Sequence, residues 1–206
     1  MKWIFCAILA SGLLRPGMKP AEADNYLIVP GQSIGTVKIG ARRTTVLKQK
    51  GKPDSTVWVR KHWRQDSWTH RGMINGGDEM TLFTRVLYHY RRVVQIETNE
   101  PKFATKENIS TDIGNGPATQ RETYKELRWS VYRSKRRGTD IYYHEGVKRG
   151  LSFLYVQKGL KGGTLVSGVE HALVVHRKGV RPFRMPGSRF VRRTAAIFPW
   201  DTKKFS

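Results

Sequence analysis

The sequence predicts an α+β protein of two similar halves, each a short helix packed on an antiparallel sheet. Three observations carry that expectation. Apolar and polar residues alternate with period two over 55–63, 80–88 and 92–98, and the β pattern returns between 129 and 178. Residues 41–50 and 117–129 place apolar side chains at helical spacing instead. The order helix, then strands, occurs twice, with the helices offset by about 76 positions. The halves share little identity, so the internal duplication is read from pattern alone.

Each element has its own local signal. NYLIVP (25–30) is a short apolar strand stopped by Pro30-Gly31, and SIGTVKIG (33–40) continues in extended form. In ARRTTVLKQK, Val46 and Leu47 form the apolar stripe of a helix that Gly51 ends, with Pro53 two residues on. STVWVRKHW reads as one strand, with Val57, Val59, Lys61 and Trp63 on one face and Trp58, Arg60, His62 and Arg64 on the other. MTLFTRVLY and RVVQIET form a hairpin around a three-residue loop, His89-Tyr90-Arg91. NEPK and STDIGNGP break regular structure, and Pro117 opens a second helix running to about Trp129. WSVYRS, TDIYYHE, LSFLYVQ and HALVVHRKG follow as strands. The pattern predicts burial of Val57, Val59, Val86, Val94 and Ile96 in the first half, and of Val131, Phe153 and Val174 in the second. The expected division is 1–23 a signal peptide, 24–112 and 113–182 the two halves, and 183–206 a basic-aromatic tail.

The amino terminus predicts export to the periplasm or the extracellular space. Lys2 precedes an apolar run from Trp3 to Leu14, too short for a span of roughly 20 residues. Ala21-Glu22-Ala23 offers a cleavage site before Asp24, after which no transmembrane segment is expected. Cys6 is the only cysteine, and Lys2-Trp3-Ile4-Phe5 precede it rather than the small residues of a lipoprotein signal. The mature chain then has no thiol, which excludes disulfides, thiolate metal sites and a cysteine nucleophile. A formal net charge of +22 attracts polyanions, although the bases are spread along the whole chain.

The stretch GQSIGTVKIGARRTTVLKQKGKPD resembles the start of BamE-like small envelope proteins and of the tandem β-lactamase-inhibitor proteins, through Gly31, Ser33, Gly40, Val46, Gly51 and Pro53. Those families pack short helices on one face of an antiparallel sheet. The resemblance implies a non-enzymatic protein of the envelope or secretome and carries no partner-contacting residue across.

Motifs for chemistry are few. Gly31-Gln32-Ser33-Ile34-Gly35 has the spacing of a nucleophile elbow, but Pro30 ends the preceding strand and TVKIG follows in extended form where an elbow needs a long helix. The histidines, His62, His70, His89, His144, His171 and His176, show no H-x-H or H-x-x-x-H spacing, so neither a metal nor a cofactor is expected. Glu122 and Glu126 sit among Arg121, Lys125 and Arg128 as surface pairs, while Glu97, Asp140, Glu145 and Glu170 are carboxylates that sequence alone does not bring together. The positive signal is interleaved bases and rings, which stack flat groups while neutralising anions. The candidate polyanion-binding residues are Trp58, Arg60, Arg64, Arg91, Arg92, Arg136, Arg137, Arg189, Arg192 and Arg193. No nucleic-acid-binding signature accompanies them. The expectation is an exported, non-catalytic binding or scaffold protein whose partner is an anionic envelope polymer or another protein. The alternatives are a secreted hydrolase of an anionic polymer and a nucleic-acid binder.

Overall fold

The structure, a computed structural model, describes residues 25–74, 78–111, 117–134, 140–157, 169–183 and 188–192. The expected signal peptide lies outside them, as do Arg136, Arg137, Arg193 and most of the tail.

Three short strands, β1 (Leu27–Val29), β2 (Ser33–Ile34) and β3 (Val37–Lys38), lead into α1 (Arg43–Lys50). A four-strand meander follows: β4 (Ser55–Arg60), β5 (Trp63–Ile74), β6 (Asp78–His89) and β7 (Arg92–Thr98). After β8 (Ala104–Thr105) and α2 (Pro117–Thr123) come β9 (Arg128–Ser134), β10 (Asp140–Gly146), β11 (Leu151–Gln157), β12 (Val169–His176) and β13 (Ser188–Arg192). The chain pairs them into a small sheet, β3-β2-β1-β8, and a nine-stranded one, β13-β9-β10-β11-β12-β7-β6-β5-β4.

Two similar halves with a helix on each sheet are therefore not what the chain builds. It is predominantly β, and β7 pairs antiparallel with β12, Ile96 opposite Val175 and Thr98 opposite Leu173, so the large sheet is continuous. One apolar cluster spans it: Val46, Val86 and Ile96 share it with Phe153, Leu173 and Val175. Helices of 8 and 7 residues are too short to cover nine strands, and Ile28, Ile34 and Val37 of the small sheet complete the cover. A second cluster, Phe83, Tyr143, Leu154, Ala172 and Val174, holds side chains that alternate with the first along the same strands.

The first helix ends at Gly51, as the sequence predicts, and the second ends earlier than spacing alone requires. α1 stops where Gly51 turns to φ 78° and returns its N–H to the Leu47 carbonyl. α2 stops at Thr123 because Tyr124 and Leu127, 1% and 2% exposed, plunge into the core, and Trp129 belongs to β9 rather than to a helix. Of the residues expected to be buried, Val86, Ile96, Phe153 and Val174 are buried, while Val59 and Val94 are half-buried. Val57 is 49% exposed, because β4 is an edge strand with a neighbour on one side only. The side chain of Val131 is outside the description.

Candidate functional site

Two hairpin tips lie side by side at one end of the large sheet. STVWVRKHW is not one strand: the chain turns at Lys61 and His62, and β5 starts at Trp63. The β6–β7 turn is Tyr90-Arg91 alone, two residues rather than three, both at positive φ (47° and 64°), as the twist-matched two-residue hairpin requires. His62 also takes positive φ, 64°. None of the three is glycine, and left-handed backbone costs an ordinary residue roughly 1–2 kcal/mol. Here it serves to display the side chains. His62 stacks on Tyr90 with centroids 4.6 Å apart and planes 19° apart, and the Tyr90 N–H donates to the His62 carbonyl at 3.1 Å. Each tip therefore braces the other.

A cleft of about 330 Å3 opens behind the tips, lined by Arg43, Trp58, His62, Arg64, Tyr88, Tyr90 and Arg91. Among the described residues no carboxylate lines it. The nearby Asp66, fully buried, is engaged: Arg43 donates from Nε to Oδ2 at 2.7 Å and from Nη2 to Oδ1 at 3.1 Å, and Thr56 Oγ1 donates to Oδ1 at 2.7 Å. Arg43 is thus neutralised in place, leaving the guanidiniums of Arg64 and Arg91 as the net charge of the lining. Arg64 lies over the Trp58 ring at 4.2 Å. Its Nε is enclosed without a hydrogen-bond partner, and the Tyr88 hydroxyl is enclosed beside Asp66. Burial, with Asp66 close by, pushes the Tyr88 pKa well above its ordinary value, so the phenol stays protonated. Trp58 and Tyr90 are 66% and 65% exposed, so a ring held on one face by Arg64 or His62 leaves the remainder to solvent.

Trp58, Arg64 and Arg91 are the expected site residues that the fold gathers here. Arg60 is separated from them, because the β4–β5 register shifts between Trp58 and Arg60. Its guanidinium sits instead over Trp63 at 4.3 Å and Phe183 at 5.0 Å, beside a run of rings in which Trp63 stacks on both His89 and Phe183. Trp58 and Arg60 therefore do not share a face as alternation alone predicts. Arg92 donates from Nη1 to the Gly40 carbonyl at 3.0 Å. Arg189 and Arg192 belong to β13, at the opposite edge of the sheet from β4. Arg43 was not among the expected residues; its role depends on Asp66, 23 positions away. His62, Tyr88 and Tyr90 stood within basic-aromatic stretches, but only their contacts distinguish them from neighbours.

The other motifs resolve into structure. Ser33 is buried in β2, and Gly31 at φ 74° lets its N–H reach the Gly150 carbonyl at 3.1 Å, where a Cβ would lie 2.5 Å from Lys178 Cγ. The G-x-S-x-G spacing here makes a close backbone crossing. A different serine does meet a histidine: Ser152 Oγ lies 2.9 Å from His176 Nε2. Both are sealed, at 0% and 1% exposure, and burial lowers the His176 pKa, so they are a mutually satisfied polar pair. Glu126 pairs with Arg149, and Glu145 accepts from Ser130 at 3.1 Å. Among the described residues no three His, Cys, Asp or Glu side chains gather as metal ligands, and no helix is long and apolar enough to cross a membrane.

No protein-family model matches this chain, and no curated protein matches it. Among solved structures, a cysteine-rich secretory protein from Staphylococcus aureus subsp. aureus Mu50 is similar over 85% of this chain at 8% identity, with a TM-score of 0.36. This chain spans 59% of that protein's length. Likeness at that level carries no argument about function.

Proposed function

We propose that the protein is an exported, non-catalytic binding protein of the cell envelope or secretome that holds an anionic polymer at its hairpin-tip end. The observation that carries this reading is the cleft lined by guanidiniums and rings and, among the described residues, by no carboxylate. A net charge of +22 raises the local concentration of polyanions around the whole chain. The cleft supplies what a diffuse field lacks, a place where charge and flat apolar surface coincide. The hydrolase reading gains nothing from Ser152 and His176, since a nucleophile must be reachable by its substrate.

The test is binding to a heparin-like polymer across a salt series, for the wild type and for Arg64→Ala with Arg91→Ala. Affinity is expected to fall steeply with salt, by roughly the 0.7–0.9 power per anionic contact on nucleic-acid-like polyelectrolytes. The double variant is expected to lose affinity and to show a shallower slope. No binding at low salt, or an unchanged slope in the variant, would overturn the assignment.

A further inference from the structure

We propose that the hairpin-tip cleft is a subsite for one acidic sugar unit, a ring bearing a carboxylate or sulfate, rather than merely part of a charged surface. The inference rests on the binding role proposed above and adds the chemical class of the unit that is read. Four features of the cleft select that class.

Size is the first. About 330 Å3 lies at the lower end of the range of small-molecule pockets, roughly 300–1,000 Å3, which suits one ring and its substituents. The second is the hydrogen-bonding character. Arg64, Arg91 and His62 offer N–H groups, while Arg43 is already engaged by Asp66, which is itself committed to Arg43 and Thr56. A lining of such donors, with no carboxylate among its described residues, favours a ligand rich in acceptor oxygens.

The third feature is the pre-placement of Arg64. Its guanidinium is held against Trp58, and its Nε is closed off, so the Nη end is the part left to meet a ligand. Two N–H groups at that end match the spacing of two oxygens on a carboxylate or sulfate. Little side-chain freedom is then lost on binding. The fourth is the pair of rings. Trp58 and Tyr90 are each held by a partner, Arg64 and His62, and each remains about two-thirds exposed on a strongly cationic surface. An acidic sugar presents both halves of the required chemistry, an apolar C–H face for a ring and anionic oxygens for a guanidinium.

The experiment titrates the full chain by calorimetry at low salt with glucuronate, glucose and adenosine monophosphate, alongside a heparin-like polymer. Glucuronate is expected to bind with Kd on the order of 1 mM and at least about tenfold more tightly than glucose. Trp58→Ala and Arg91→Ala change exposed side chains and leave the core intact; each is expected to weaken glucuronate about fivefold or more. Arg64→Lys keeps the charge and removes the planar fork, and is expected to weaken glucuronate about tenfold while altering the polymer's salt slope little. If glucuronate binds no better than glucose, or is indifferent to Trp58→Ala, the subsite is refuted even where the polymer still binds. Tighter binding of adenosine monophosphate than of glucuronate would refute the sugar assignment in favour of a nucleotide. Failure of both glucuronate and polymer would overturn the parent reading as well.

Discussion

Two histidine stacks at different places in the sheet show how position decides the use of the same side chains. At the hairpin tips His62 lies on Tyr90, and both are exposed. In the second meander His144 lies on the partly buried Trp129, with centroids 4.1 Å apart and planes 8° apart, and His144 itself is fully buried. Its Nδ1 is 3.4 Å from Gln120 Oε1, and Tyr155 donates to that same oxygen at 2.7 Å. Burial pushes the His144 pKa down to about 3, with Arg121 and Arg128 adding to the effect. One stack is therefore a buried neutral plug under α2, and the other is open to solvent. The difference lies in neighbours: β10 has a strand on each side and a helix over it, whereas the tips end in turns.

The comparison is broken most severely by emptying the covered region. Phe153→Ala removes a fully buried ring from the shared core and is expected to cost about 3–5 kcal/mol in denaturant unfolding. Because the cluster spans both meanders, the tips should melt in the same transition. Separate transitions for the two regions would show that the core is not shared.

Asp66 joins the two regions' logic, being a buried charge that disciplines an exposed site. Asp66→Asn leaves Arg43 with a weaker acceptor and should cost about 1.5–3 kcal/mol, the range for hydrogen bonds to charged groups. The same change frees a cation at the cleft, so polyanion affinity should rise while stability falls. Loss of both would mean that Asp66 shapes the cleft rather than only neutralising Arg43.

His144 offers a pH test. Its folded pKa lies below the ordinary value of 6.5, so the unfolded chain binds the extra proton first as pH falls. Its contribution to stability is full above pH 6.5 and is lost progressively as pH falls toward 3, at up to about 1.4 kcal/mol per unit. His144→Phe keeps a ring against Trp129 and removes the titration, so its stability should decline less steeply over that window. Equal slopes in wild type and variant would place the acid sensitivity elsewhere.

The smallest effect on stability is expected from Trp58→Ala, within about 0.5 kcal/mol, because the ring is largely in solvent already. A loss of several kcal/mol would mean that Trp58 is a structural pillar and not a binding surface.

Local chemistry made several elements legible in advance. Alternation located the strands around Val86 and Ile96 and the break at His89-Tyr90-Arg91 between them, and Gly51 and Pro53 located the end of α1. These follow from steric and hydrophobic preferences that act within a few residues. What alternation missed is also specific. It ran straight through Lys61 and His62, which have no glycine, proline or asparagine to announce a turn. It consequently placed Arg60 beside Trp58, where the register shift moves it to Trp63 and Phe183. It also counted Val57 as core, because a period of two identifies a face without identifying an edge.

By itself the sequence determined the charge, the strand-forming segments and the interleaving of bases with rings, all properties of single residues and near neighbours. Only the tertiary structure decided that β7 and β12 close the strands into one sheet, that Asp66 removes Arg43 from the free charge of the cleft, and that one histidine stack is sealed while the other faces water. Those outcomes depend on contacts between residues distant in the chain, whose energies are set by which surfaces exclude water together, and no local pattern encodes that.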